Sequence, residues 1–214
     1  MSRPERTEGR LVVASQNPGK VREIARILED FEVLSLDAFA PIDFPEEGGD
    51  YLENARRKAL TAAAATGLAC VGDDSGLEVQ ALDGAPGPYS ARFGGSGLDD
   101  RERVAFLLEQ LAGRDRPWRA RFVCVAACAW PDGRTEVAEG TCEGEILEAP
   151  RGEGGFGYDP VFRPEGHTET LAELSREAKD ALSHRGRAFR ALTRALAGKL
   201  ARRHAAAELR PRAE

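Results

Sequence analysis

Gly72-Asp73-Asp74-Ser75-Gly76-Leu77 follows the short apolar run Leu68-Ala69-Cys70-Val71 and leads into Glu78-Val79, with Gly84-Ala85-Pro86-Gly87-Pro88-Tyr89-Ser90-Ala91-Arg92-Phe93 close behind. The apolar run, closed by a glycine, reads as a core strand that ends toward a cleft. It would deliver two adjacent carboxylates there. Asp73 and Asp74 at the edge of an apolar core need a positive partner. A divalent cation is one answer, with one carboxylate as ligand and its neighbour orienting or deprotonating a water. Asp, Ser and Gly are also ordinary turn residues, so the tetrapeptide alone fits a polar turn equally well.

Working outward, Leu11 to Ser15 reads as a strand, Gln16 to Lys20 as a loop and Val21 to Leu28 as a helix with Val21, Ile24, Ala25, Ile27 and Leu28 on its apolar side. A strand-to-helix junction presents free backbone N–H groups and the positive helix end, which suits a phosphate, and Lys20 adds a cation. It is not a Walker A loop, because Gly-x-x-x-x-Gly-Lys-Ser/Thr is absent. A second helix is expected from about Tyr51 to Thr66, with Asp50 as N-cap and Glu53 completing a capping box. Asn54 and Lys58 share one face of it. Beyond the aspartates, Leu77 to Val79 continues as a strand and Ala85 to Pro88 makes a rigid turn.

The helix from about Asp99 to Leu111 shows packing residues (Val104, Phe106, Leu107, Leu108, Leu111) and no chemistry. Arg119 to Trp130 reads as a core strand, followed by a turn at Pro131-Asp132-Gly133, a strand through Val137 and another through Cys142 to Leu147, as in an antiparallel meander. Such hairpins imply a mixed sheet rather than a purely parallel one. Gly152 to Pro160 is glycine-rich; its backbone can approach a ligand closely and its aromatics can stack on a base, although Phe156 and Tyr158 serve equally well as anchors of a loop. A helix is expected from about Thr170 to Leu182 and another from about Arg187, capped by Ser183. Lys179, His184 and Arg185 form a local donor cluster between them.

A chain of 214 residues without internal repeats fits one α/β domain: a mixed, elongated sheet flanked by helices, in two lobes around a central cleft. The domain is expected over residues 11–198, between a disordered N-terminal extension (1–10) and a basic tail (199–214). The first nine residues are polar and no run of about 18 apolar residues occurs, as expected of a soluble, cytoplasmic protein with no membrane partner. Cys70, Cys124, Cys128 and Cys142 lie in apolar segments, Cys124 and Cys128 on one strand face, and read as small core residues of a reducing compartment rather than zinc ligands. A net charge of −6 argues against a stable nucleic-acid partner, and the arginines from Arg187 onward read as a solvated helix face with a frayed tail.

The aspartate segment and its Gly-Ala-Pro-Gly-x-Tyr-Ser-Ala-Arg-Phe continuation closely resemble the signature of the inosine triphosphate pyrophosphatase family, the XTP/dITP diphosphatases. Four further blocks resemble it in the same order: Ser15 to Lys20, Pro45-Glu46-Glu47-Gly48 through Glu53-Asn54-Ala55, Gly154 to Pro160, and Lys179 through Ser183-His184-Arg185-Gly186. The resemblance spans about Leu11 to Leu196. It implies Mg²⁺-dependent hydrolysis of ITP, dITP and XTP to monophosphate and pyrophosphate by a homodimer. It also implies a triphosphate loop from Ser15, Gln16, Asn17, Pro18, Gly19 and Lys20, with Lys58 reaching toward the polyphosphate and Ser75 beside the substrate. Asp74 would be catalytic, and Glu46 (with Glu47 as the alternative register), Asp73 and Asp74 would hold the metal. The nucleoside pocket would comprise Phe156, Gly157, Tyr158, Asp159, Lys179, His184 and Arg185. A pyrimidine-directed Maf-like pyrophosphatase and a catalytically silent nucleotide-binding module are the competing readings.

Overall fold

The computed structural model describes the backbone of residues 9–208 and the side chains of residues 9–197. The expectations for the first eight residues and for the side chains of the basic tail lie outside the described residues. In chain order the elements are β1 (Arg10–Val13), α1 (Pro18–Ile27), β2 (Glu32–Ser35), α2 (Tyr51–Thr66), β3 (Cys70–Val79), β4 (Pro86–Gly87), α3 (Asp100–Leu111), β5 (Trp118–Ala129), β6 (Thr135–Ile146), β7 (Phe162–Pro164), α4 (Arg176–Leu182) and α5 (His184–Glu208). The strands form one mixed sheet in the order β2-β1-β3-β5-β6-β7, with β4 added to β3. β2-β1-β3 pair in parallel; β3, β5, β6 and β7 pair antiparallel.

The register of β3 positions the cleft. One edge pairs with β5 over its whole length, from Cys70↔Ala129 to Val79↔Ala120. The other edge pairs with β1 only at Cys70 and Val71, then with β4 at Leu77 and Glu78. Between them, residues 72–76 have one edge free of any strand among the described residues. The aspartates therefore do not lie at a strand end or in a polar turn, as the closing glycine suggested; they lie inside a continuous strand whose flank is open. The glycines serve close approach instead. A Cβ at Gly72 would stand 3.2 Å from Ala55 O and Ala59 N of α2, and one at Gly76 would stand 2.0 Å from Gly87 O. The periodicity of the sequence cannot distinguish that use of glycine from a turn.

Two lobes follow from how the long strands are covered. At one end the sheet lies between α2, whose Ala55, Ala59, Ala62 and Ala63 allow a close helix, and a layer formed by Ile24 and Leu28 of α1 with Ala188, Phe189, Leu192 and Leu196 of α5. At the other end Leu77, Val79, Phe122, Ile146 and Phe162 pack with Val104, Leu107 and Leu111 of α3. All four cysteines are buried and free, and Cys124 and Cys128 share one face.

Several boundaries differ from expectation. β6 is one strand rather than two, because β5 pairs with it from Trp118↔Ile146 to Ala129↔Thr135 without a break. Residues 170–175 are not helical: Thr170, Leu171 and Ala172 are buried beneath the glycine loop, Ala172 O accepts from Gly154 N, and Ser175 caps α4. α1 begins at Pro18, and α5 at His184, where Ser183 Oγ accepts from Gly186 N. At α2 Asp50 accepts from Glu53 N, whereas the reciprocal box forms at α3 between Asp99 and Glu102.

Gly76→Ala tests the close approach of β4. The added methyl meets backbone rather than a yielding side chain, so urea unfolding should show a loss of about 1–3 kcal/mol. Gly133→Asn, at an open left-handed position, should change stability by less than about 0.5 kcal/mol.

Candidate active site

Consecutive strand residues point to opposite faces of a sheet, so Asp73 and Asp74 are separated by the strand that carries them. Asp73 points to the α1 and α5 face. Its Oδ2 lies 3.1 Å from Lys20 Nζ, and it accepts from Arg185 Nε at 3.3 Å and Nη2 at 3.2 Å. Asp74 points to the α2 face. Its Oδ2 accepts from Asn54 Nδ2 at 2.8 Å, its Oδ1 accepts from Ser75 N at 3.0 Å, and Lys58 Nζ is 3.7 Å away. The two carboxylates thus face opposite sides of the sheet, whereas the dipeptide read as a pair delivered to one cleft.

From Asp73 the charges continue inward. Arg185 Nη1 donates to Glu23 Oε2 at 2.6 Å; Glu23 Oε1 takes Lys179 Nζ, which donates also to Asp159 Oδ2 at 2.6 Å. Lys20, Asp73, Arg185, Glu23, Lys179 and Asp159 therefore alternate in sign, three cations with three carboxylates. Burial alone would raise the Asp73 carboxyl, but Lys20, Arg185 and Lys58 outweigh it and hold it far below the usual range. Glu23 is also lowered, burial being outweighed by Arg185 and Lys179. Asp74 differs: burial raises it, against the opposing pull of Lys58 and Asn54. His184 is held neutral, its pKa pushed well below the ordinary histidine value by burial and by Arg185 and Lys179. Its ring stacks on Phe122 at 4.6 Å, and its Nδ1 is buried without a hydrogen-bond partner among the described residues.

A cavity of about 380 Å³ opens along the free edge of β3. Its wall includes Ser15, Gln16, Asn17 and Lys20 from the first loop, Lys58, Asp74 and Ser75 beneath, and Phe156, Gly157, Tyr158, Asp159, Lys179, His184 and Arg185 opposite. Four expected residues are not on that wall. Asp73 is buried behind it. Pro18 starts α1, and Gly19 packs on Phe156, where a Cβ would approach the ring to 2.8 Å. Glu46 is exposed and points elsewhere, whereas Glu47 lines the cavity with Oε1 2.7 Å from Lys58 Nζ. Of the two adjacent glutamates, it is Glu47 that the fold brings to the cavity.

Most N–H groups of the first loop are engaged within it: Asn17 N donates to Ser15 Oγ, and Gly19 N and Lys20 N donate to Asn17 Oδ1, while Lys20 adds a cation to the cavity wall. Lys179 and Arg185 spend most of their N–H groups on the buried acids and Ser75 Oγ, which leaves one N–H of each uncommitted. Their guanidinium and ammonium lie under the Phe156 ring, 5.5 and 5.0 Å from its centroid. The glycine loop is fastened across the cleft by Gly157 N on Asp100 Oδ2 (2.7 Å) and by the Tyr158 hydroxyl on Ser90 O (3.0 Å).

Sequence reasoning missed Glu23, Asp100, Arg103 and Phe122. Glu23 had a signal, a carboxylate next to the apolar stripe of α1. Asp100 and Arg103 lie on the helix that showed no chemistry, yet both line the cavity, with Arg103 donating to Phe93 O, Gly95 O and Leu98 O.

A profile of the Ham1 family matches residues 11–195, which include every element of this cavity. The chain belongs to the Ham1 family. A dITP/XTP pyrophosphatase of Deinococcus deserti is 53% identical over 183 residues, covering 85% of this chain and 86% of that protein. One from Thermus thermophilus is 52% identical over 191 residues, covering 87% and 91%. The solved HAM1 protein of Coxiella burnetii superposes with a TM-score of 0.79 at 41% identity, covering 88% of this chain and 98% of that one. The Ham1 protein of Staphylococcus aureus gives 0.78 at 41% identity, covering 89% and 99%.

In this Ham1 protein the buried neutral His184 makes stability pH-dependent with a defined sign. Its folded pKa lies below its unfolded value of about 6.5, so below that pH the unfolded chain gains a proton that the folded site refuses. Stability should be flat in this respect above about pH 6.5 and should fall on acidification by up to about 1.4 kcal/mol per pH unit. Denaturant titrations at pH 5, 6 and 7 should show a shallower slope in His184→Gln; an unchanged slope contradicts the assignment.

Proposed function

We propose that this protein hydrolyses deaminated purine nucleoside triphosphates (ITP, dITP and XTP) to the monophosphate and pyrophosphate. The observation that carries the reading is one cavity whose wall combines the cations Lys20 and Lys58 with the aromatic rings of Phe156 and Tyr158 and the donors Lys179 and Arg185. The dITP/XTP pyrophosphatases that the chain resembles support it. So does the donor chemistry. Lys179 and Arg185 have no acceptor to offer, and buried acids fix them in place, so they suit the O6 acceptor of hypoxanthine or xanthine and leave the amino group of adenine unpaired.

In this mechanism the triphosphate lies along the open edge of β3, with Lys20 and Lys58 offsetting its charge. Asp74 accepts a proton from the water that attacks the α-phosphorus, and pyrophosphate departs. Burial raises the Asp74 carboxyl toward a more effective base, while Asn54 holds its orientation. The donor set fits Mg²⁺: Glu47 and Asp74 converge on one cation position at Lys58 Nζ, and this ion is commonly held by one or two carboxylates together with water and substrate phosphates. When bound there it would supply electrostatic stabilisation of the phosphoryl oxygens. Asp73, expected as a ligand, serves to hold Lys20 and Arg185. No helix among the described residues is long and apolar enough to cross a membrane. The same reading takes the protein to act as a cytoplasmic homodimer.

Pyrophosphate release should be measured with ITP, XTP, GTP, ATP and dTTP, each with Mg²⁺ and with EDTA. Metal-dependent release confined largely to ITP and XTP is expected. Preference for dTTP would favour a Maf-like enzyme, and nucleotide binding without release would favour a silent module. Asp74→Asn should lower kcat about 10²- to 10⁴-fold with the unfolding transition retained; near wild-type turnover would remove Asp74 from the role.

A further inference from the structure

We propose that Lys58 is a resident cation on the Glu47 and Asp74 carboxylates, displaced when a metal-bearing nucleotide arrives, so that the free protein binds its divalent ion poorly and takes it up with the substrate. The inference rests on the proposed activity and concerns the order in which the site fills. Lys58 Nζ is 2.7 Å from Glu47 Oε1 and 3.7 Å from Asp74 Oδ1, the position on which both carboxylates converge. A divalent ion there would stand beside an ammonium whose side chain is only 12% exposed. The like charges repel at short range, where screening is weak.

The carboxylates are set in place independently of any ion. Asn54 donates through Nδ2 both to Asp74 Oδ2 and to Gly48 O, and its Oδ1 accepts from Gly48 N. One buried amide thereby fixes Asp74 and the loop that carries Glu47. Arg92 Nη2 donates to Glu47 O at 2.7 Å and secures that loop from the other side. A preset pair of carboxylates would be an open cation site without an internal counterion. Lys58 fills that need from the rigid helix α2, four residues after Asn54, on a stem long enough to turn into the cavity it lines. The polyphosphate offers the ammonium new anionic partners and brings its own metal to replace it. Metal and nucleotide must then raise each other's affinity, since coupling between two sites is reciprocal.

The test is Mn²⁺ binding to the full chain without nucleotide, read from the paramagnetic signal of the free ion, for wild type, Lys58→Met and Lys58→Arg. Lys58→Met is expected to bind Mn²⁺ at least ~10-fold more tightly than wild type, the equivalent of at least ~1.4 kcal/mol, and Lys58→Arg to remain weak. Binding by Lys58→Met no tighter than wild type, or equal tightening in both variants, overturns the proposal. Circular dichroism and thermal unfolding establish that each variant is folded, and Lys58→Gln replaces the methionine variant if that one is not. Because neither nucleotide nor turnover enters the measurement, a negative result is distinct from failure of the pyrophosphate-release assay.

Discussion

An alternating chain of buried charges, Lys20–Asp73–Arg185–Glu23–Lys179–Asp159, is the constraint on which the arrangement of the site depends. Its members come from α1, β3, α5, α4 and the turn before β7, and no two consecutive members lie on the same element. Burying any one of these ions alone would cost several kcal/mol; the alternation gives each an opposite neighbour and leaves the set without net charge. Replacing buried ion pairs by apolar residues is often neutral or stabilising, so stability alone does not account for the network. What it provides is position. Lys20 belongs to the first loop of the cavity wall and Lys179 and Asp159 to the wall around Phe156, so the network holds these parts of the wall in fixed relation.

Glu23 occupies the middle of that chain. It bonds Arg185 and Lys179 at once and thereby adds a buried link between the first turn of α5 and α4, beside the bonds of Arg190 to Asp180 O and Ala181 O. Without it, two cations would face each other across a buried gap with Asp73 and Asp159 as their remaining partners. The same arrangement explains why His184, the neighbour of Arg185, stays neutral. It is surrounded by cations already committed to acids, and its ring stacks on Phe122 at the junction of the two lobes.

Much of this was legible in the sequence where local signals coincide with local structure. The mixed sheet and the caps of Asp50 and Ser183 follow from short local patterns, and the gathering of Phe156, Tyr158, Lys179, His184 and Arg185 at one cavity from the family resemblance. Other features were not legible because they depend on partners distant in the chain. Gly72 and Gly76 look like punctuation until α2 and Gly87 are seen pressing on them. Adjacency made Asp73 and Asp74 look like a pair, yet once the segment is a strand, adjacency is what separates them. Glu46 and Glu47 differ by one position in an irregular loop, and Lys58 on a neighbouring helix selects between them.

The strand between the aspartates therefore acts as a partition. On one face Asp73, kept ionised through the contacts of its Oδ2, holds Lys20 and Arg185 in place. On the other, Asp74 retains a carboxyl raised by burial, with one amide, one backbone N–H and a more distant lysine around it. Lys20 and Lys58 pull both carboxyls down, but Arg185 contacts Asp73 and not Asp74, so the cations outweigh burial at Asp73 whereas burial prevails at Asp74. The two-residue period of a strand thus gives adjacent, chemically identical side chains opposite electrostatic characters, Asp74 on the cavity wall and Asp73 buried behind it.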